Sequence, residues 1–246
     1  MKVEILGVKI DKITNEEVLE KIQGYLDSDK SHFIVTPNPE FLVAAHHDKD
    51  FKGILNQADL AVPDGFGLKL AARYLGNPLK QRITGTDLTY QLAEICQKKH
   101  KSIYLLGALP GVAEQAAQKI LELYPDIKIA GFESGYRTRF HFKLPDFILL
   151  AKINRVKPDV LLVAFGASKQ EKWINNHLAN MPSLKIAMGV GGAFDFISGN
   201  VKRSPKLMRS LGLEWFWRLI VQPWRLDRIR TATWRFSRLV IKSKKR

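Results

Sequence analysis

Cysteine is nearly missing from this chain: Cys96 is the only one in 246 residues. That excludes an intramolecular disulfide and suits a reducing compartment. Cys96 shares a helical pattern with Leu92 and Ile95, so it is expected in the core rather than as a nucleophile. Long apolar runs are missing too. Nothing reaches the roughly 18 residues that a membrane-spanning helix needs, and the greasiest late segment, LGLEWFWRLIV, is short and charged. The opening MKVEILGVKIDKI has neither an apolar run nor a small-residue cleavage site, so it does not read as a signal peptide. The expectation is a cytoplasmic protein whose membrane contact, if any, is peripheral. The six histidines are scattered, leaving no Cys/His cluster at metal-ligand spacing. P-loop, G-x-S-x-G and G-x-G-x-x-G patterns are likewise absent.

Acidic residues are scarce in one place above all. From Lys202 to Arg246 there are 14 Lys and Arg against Glu214 and Asp227, a net of +12 out of +15 for the whole chain. The same stretch holds Trp215, Trp217, Trp224 and Trp234, leaving only Trp173 elsewhere. Arginine interleaved with large apolar side chains suits a surface that is both anionic and greasy. A phospholipid layer fits, and nucleic acid is the rival. After Pro223, Leu226, Ile229, Thr233, Phe236 and Val240 recur at spacings of three and four, with Arg228, Arg235 and Lys242 every seven on an adjoining face. That is an interfacial amphipathic pattern; a C-terminal helix packed on the body explains the stripe equally but not the basic excess.

The body alternates short apolar runs with amphipathic stretches. Strands are expected at Val3–Val8, His32–Val35, Leu60–Val62, Ser102–Leu106, Ile127–Gly131, Asp159–Ala164 and Lys185–Met188. Helices are expected at Thr14–Leu26, Phe41–Asn56, Leu68–Leu75, Asp87–Lys99, Val112–Leu123, Phe142–Val156 and Lys169–Asn180. Continuous rather than alternating apolar strands predict a largely parallel sheet covered on both faces. The fold class is therefore α/β, a doubly wound Rossmann-like domain over residues 1–200. Residues 201–246 are expected to form a helical membrane-association appendage.

In such sheets ligands bind beyond the carboxyl ends of the strands, and the polar, Gly- and Pro-rich segments fall there. Thr36-Pro37-Asn38-Pro39-Glu40 projects two hydrogen-bonding groups from a stiff backbone, or caps the next helix. Pro63-Asp64-Gly65 places a carboxylate suited to general-base work, or makes an Asp-Gly turn. Arg82 through Asp87 enters a helix whose N-terminus suits phosphate, with Arg82 as an added cation or a surface residue. Gly107 to Gly111 is a glycine-rich turn of low specificity. Gly166 to Glu171 puts Gln170 and Glu171 in a first helical turn, facing a ligand or favouring the helix dipole. Gly189 to Asp195 has three glycines in four residues, with Gly191 and Gly192 allowing close ligand approach and Phe194 and Asp195 suited to stack on and bond a base. The two D-x-D triplets, Asp27 to Asp29 and Asp48 to Asp50, fall at helix ends and read as caps rather than metal sites.

Taken in order, TPNPE, PDG, RITGTD, GASKQE, GVGGAFD and LGLEWFWRL resemble the TagA/WecG/CpsF family of bacterial glycosyltransferases, over nearly the whole chain. The resemblance implies an inverting, metal-independent transfer of N-acetylmannosamine, or a related aminosugar, from a UDP-sugar. The implied acceptor is undecaprenyl-diphosphate-linked N-acetylglucosamine, in wall teichoic acid, common antigen or capsule synthesis. It implies Asp64 as catalytic base and Thr36 and Asn38 as sugar contacts. Arg82 and Gln170 match site positions, and Arg218, Arg225 and Arg228 match appendage arginines that complete the site. Gly191, Gly192 and Asp195 join them as substrate-binding candidates. No cofactor is expected. The expected partners are the UDP-sugar, the lipid-linked acceptor and the anionic inner face of a bacterial membrane, without nucleic acid; homo-oligomerisation is left open. One departure is Ser168, where the family usually has proline. The other classes weighed are a nucleic-acid-binding protein with a basic tail and a Rossmann oxidoreductase; the first lacks a recognition signature and the second a glycine fingerprint.

Overall fold

The computed structural model describes residues 1–134, 144–210 and 212–244. The chain divides into two compact units. The first comprises Met1–Asn15, Thr36–Thr84 and the tail from Val201; the second comprises Glu16–Val35 and Gly85–Asn200. The chain thus changes unit at Val201, where its charge and aromatic content also change, and the residues before that point are shared between both units.

The first unit opens with a hairpin of β1 (Lys2–Ile5) and β2 (Val8–Asp11). A single strand over Val3–Val8 was expected instead. Leu6 and Gly7 both take positive φ, 53° and 82°, the requirement of a tight mirror-image turn whose twist matches the strands. Val3, Ile5, Val8 and Ile10 then alternate inward. The expected Phe41–Asn56 helix is also two elements, α2 (Pro39–His47) and α3 (Lys49–Gln57). Asp48 parts them: its Oδ1 accepts from Phe51 N at 2.9 Å, and a new helix starts. Asn56 fastens α3 to the hairpin, accepting from Lys9 N at 2.8 Å and donating to Gly7 O at 2.9 Å. Short β4 (Leu60–Ala61) leads through the PDG loop into α4 (Phe66–Tyr74). Asp27 of the other triplet ends its helix and pairs with Lys99 at 2.7 Å. Both D-x-D motifs thus lie at helix ends, as read.

In the tail an irregular stretch at 201–205 leads into α10 (Lys206–Ser210), followed by α11 (Glu214–Val221), a 3-10 turn over Pro223–Arg225, then α12 (Leu226–Arg230). One π-helical turn over Thr231–Arg235 continues directly into α13 (Phe236–Lys244). The helix expected from Leu211 begins at Glu214, and Leu211 itself lies outside the described residues. Phe236 and Val240 are buried, and α13 packs on α2. Lys244 Nζ bonds Tyr74 O at 2.8 Å and sits over the Tyr74 ring. The stripe is therefore spent on packing in its second half. Leu226, Trp224 and Trp234 stay exposed, as do Arg228, Arg235 and Lys242.

The second unit holds five of the six strands of the main sheet, β3 (His32–Val35), β5 (Ser102–Gly107), β6 (Lys128–Glu133), β7 (Val160–Ala164) and β8 (Ile186–Gly189). Their order is β3-β8-β7-β5-β6, all parallel. Every residue of β5, β7 and β8 is buried, which explains their uninterrupted apolar sequences. Around them stand α1 (Asn15–Asp27), α5 (Gly85–Lys98), α6 (Val112–Leu123), α7 (Asp146–Val156), α8 (Lys169–His177) and short α9 (Ala193–Ile197). The expected start of α7 at Phe142 lies outside the described residues. Parallel strands send the loops after β5, β7 and β8 to one edge.

Candidate active site

In the first unit, three of the singled-out segments are knitted together by their backbones. Asp64 N donates to Pro37 O at 2.9 Å, and Ile83 N to Pro63 O at 3.0 Å. Gly65, at φ 93°, lies so close to Pro39 that a Cβ there would stand 3.0 Å from its Cδ; at Gly67 the gap to Pro39 Cγ would be 2.8 Å. PDG is thus seated flush on TPNPE, and the half-buried Asp64 is held beside that loop. Thr36 is buried at the start of the loop. Asn38 is the N-cap of α2, its Oδ1 accepting from Phe41 N at 3.1 Å. The capping alternative is realised, and Nδ2 remains without a partner among the described residues.

The tail reaches the same segments. Arg82 Nη2 donates to Arg209 O at 3.3 Å and lies 3.9 Å from Glu214 Oε2. Arg218 stands 4.0 Å from Glu214 Oε1, so this carboxylate sits between two of the singled-out arginines. Thr84 Oγ1 accepts from Arg203 Nη2 at 3.0 Å. Arg228 is held by both oxygens of Glu40, Nε to Oε1 at 2.6 Å and Nη2 to Oε2 at 3.0 Å, a bidentate grip. Arg225 is half-buried in the turn that follows Pro223. Glu40, Glu214 and Arg203 had been given no role from sequence. Glu214 was detectable as one of two acids in a basic tail; nothing ties Glu40 to a residue 188 positions away.

The second unit holds Gln170, Glu171 and the glycine-rich turns after β7 and β8. Gln170 is 1% exposed, and its contacts are internal. Its Oε1 accepts from Gly166 N and Gly191 N, each at 3.1 Å, and its Nε2 donates to Glu171 Oε1 at 2.6 Å. Glu171 is fully buried and accepts from Ser168 N at 2.8 Å. Burial pushes its carboxyl up to about 7, against the pull of its hydrogen bonds from Gln170 and the backbone. Gly189 makes room for this pair: a Cβ would fall 2.5 Å from Glu171 Oε1 and 2.6 Å from Gln170 Nε2. Ser168 has φ 69°, a conformation closed to proline, so the loop takes a shape here that the family's usual residue does not allow.

Of the GVGGAFD segment, Gly191 keeps open space where a Cβ would point, at φ 55°, though its N–H is taken by Gln170. Gly192 precedes α9 as its N-cap, and Asp195 is half-buried in that helix's first turn. Phe194 is wholly buried, which corrects its reading as a stacking platform: the ring fills the core. Gly107, at φ 111°, is packed against the Ala164 backbone, with 2.7 Å between a Cβ and Ala164 C. That turn is shaped by strand packing.

In the first unit, a base candidate seated on a polar loop, with arginines in the same unit, suits transfer of a sugar from a donor with an anionic leaving group. The model of the glycosyl transferase WecG/TagA/CpsF family matches residues 3–246. The chain belongs to that family. Its relatives include the N-acetylglucosaminyldiphosphoundecaprenol N-acetyl-beta-D-mannosaminyltransferase of Bacillus subtilis strain 168, 40% identical over 93% of this chain and 86% of the relative. The enzyme of that name in Staphylococcus aureus strain MRSA252 is 34% identical over 94% of this chain and 89% of its own. The one in Bacillus spizizenii W23 is 36% identical over 83% and 77%. The family match runs through the basic tail, so the ending is part of a glycosyltransferase and the nucleic-acid alternative has no support. No helix among the described residues is long and apolar enough to cross a membrane.

Proposed function

We propose that this chain moves N-acetylmannosamine from a UDP-linked donor onto N-acetylglucosamine carried by undecaprenyl diphosphate, in the synthesis of a wall-teichoic-acid type polymer. The observation that carries the reading is the seating of Asp64 against the TPNPE loop, in the unit that also contains Arg82, Arg218 and Arg225. In this reading Asp64 takes the proton from the acceptor hydroxyl as that oxygen attacks the anomeric carbon. The bond to UDP breaks on the opposite face, so the configuration inverts. Thr36 and the Nδ2 of Asn38 contact the sugars. UDP leaves with concentrated negative charge, which Arg82, Arg218 and Arg225 stabilise without a metal ion or cofactor.

The acceptor is a membrane lipid, and the tail's exposed Trp224 and Trp234, with its basic face, suit a peripheral position on the cytoplasmic leaflet. The test is release of UDP from UDP-N-acetylmannosamine by purified protein, with a lipid-diphosphate N-acetylglucosamine acceptor and EDTA present. Release that depends on the acceptor is expected. No release from any UDP-aminosugar rejects the transferase reading, and release that EDTA abolishes rejects the metal-free part alone.

A further inference from the structure

Resting on the donor assignment just made, we infer that Glu171 is a positioning residue: it orients the Gln170 carboxamide so that one side-chain oxygen clamps together the loops after β7 and β8. A carboxamide has one accepting and one donating end. The two amides, Gly166 N–H and Gly191 N–H, require the oxygen between them. The NH2 end then needs an acceptor, and Glu171 Oε1 supplies it at 2.6 Å. Glu171 Oε2 meanwhile accepts from Ser168 N, tying the middle of the β7 loop into the same unit. The clamp joins residues 25 positions apart at the edge where a doubly wound sheet binds its nucleotide.

Two further facts support a site built for this purpose. Glu171 forms a capping box with Ser168, which accounts for its Oε2 bond, but its Oε1, committed to Gln170 in a buried and costly carboxyl, lies outside that box. Gly189 is also the one residue that fits, because any side chain there would overlap both clamp members. Gln170 is almost wholly enclosed, so the clamp gives it a role that needs no direct contact with substrate.

Hydrogen-bond polarity makes the assignment testable. Glu171→Gln offers one oxygen and one NH2 to two donors, so Ser168 N–H or the Gln170 amide loses its partner. Exchanging the two residues, Gln170→Glu with Glu171→Gln, restores every bond. The new carboxylate at 170 accepts both glycine amides and the NH2 of 171, whose oxygen accepts Ser168 N–H. Amide hydrogen exchange of Gly166 and Gly191 reads the clamp directly and needs no turnover. Protection is expected in the wild type, lost in Glu171→Gln and regained in the exchange.

In the transfer assay, Glu171→Gln should raise the donor KM at least about tenfold, as a displaced binding loop does, with recovery in the exchange. Three results overturn the proposal. The single variant keeps its protection; the exchange regains protection but not donor binding, making the Gln170 carboxamide itself a substrate contact; or kcat falls with the melting temperature at unchanged KM. If the wild type transfers no sugar, the functional reading fails while the exchange data still judge the clamp.

Discussion

Asp64 sits in a turn shaped by Pro63 and Gly65, with its N–H bonded to Pro37 O and Pro39 packed against the glycine. Asp64→Asn keeps that packing, so turnover should fall at least about a hundredfold while the melting temperature holds; unchanged turnover removes Asp64 from the base role. Glu171 makes a different prediction. Its folded carboxyl titrates at about 7, above the ordinary 4.5, because of burial. Folding therefore favours the protonated form. The resulting stability is fully present below about pH 4.5 and is lost as pH rises through about 7, to the extent of about 3 kcal/mol. Denaturant unfolding of wild type and Glu171→Gln from pH 4.5 to 8 should show the wild type losing ground to the variant; parallel curves contradict it. The strand-end turn at Asp64 was legible from the proline before it and the glycine after it, whereas its seating on Pro37 and Pro39 was not, since nothing in the spacing joins the two loops. Gln170 was legible only as a position. Whether its side chain faces a ligand or two backbone amides depends on Gly189 and Gly191, which sequence spacing does not bring to it.

Among the elements, the apolar runs marked β3, β5, β7 and β8 almost to their ends, since strands buried on both faces have no polar register to obscure them. Errors arose where a single residue breaks a continuous pattern. Asp48 ends one helix and caps the next inside a run that reads as one, and Leu6 accepts a left-handed conformation that leucine rarely takes. The contact between α2 and α12 was not legible at all, because Glu40 and Arg228 lie far apart in sequence. Both side chains are partly exposed, 24% and 46%, so the pair should contribute no more than about 1 kcal/mol to stability. Its effect on activity is the more telling measurement. If Arg228 acts by pinning the tail, Glu40→Ala and Arg228→Ala should lower turnover alike, and the double variant should be no worse than either. Glu40→Ala with full turnover, beside an impaired Arg228→Ala, assigns the arginine to substrate instead.

For the whole molecule, the tail is a covalent latecomer that folds as part of the first unit, together with residues 1–15 and 36–84. Composition distinguished it sharply, yet composition describes a surface and says little about what lies beneath it. Truncation after Asn200 removes the buried Phe236 and Val240 and should lower stability as well as lipid binding. A cleaner probe of membrane attachment is Trp224→Ala with Trp234→Ala, both rings being about three-quarters exposed, at 75% and 76%. Flotation with anionic vesicles should weaken for that variant and weaken further with added salt, while unfolding is unchanged; flotation equal to wild type places the anchor elsewhere. The π-helical turn at Thr231–Arg235 gives the tail one more property. A π turn carries a surplus residue, so it dials the helix after it around relative to the helix before it. Arg228, ahead of the turn, faces Glu40, while Phe236 and Val240, behind it, enter the body. Deleting Ala232 would rotate the second half by about 100° and swing both apolar residues out, leaving the arginine in place. The turn thus sets the angle between the tail's charged face and its packing face, and a change of one residue in its length resets that angle for everything behind it.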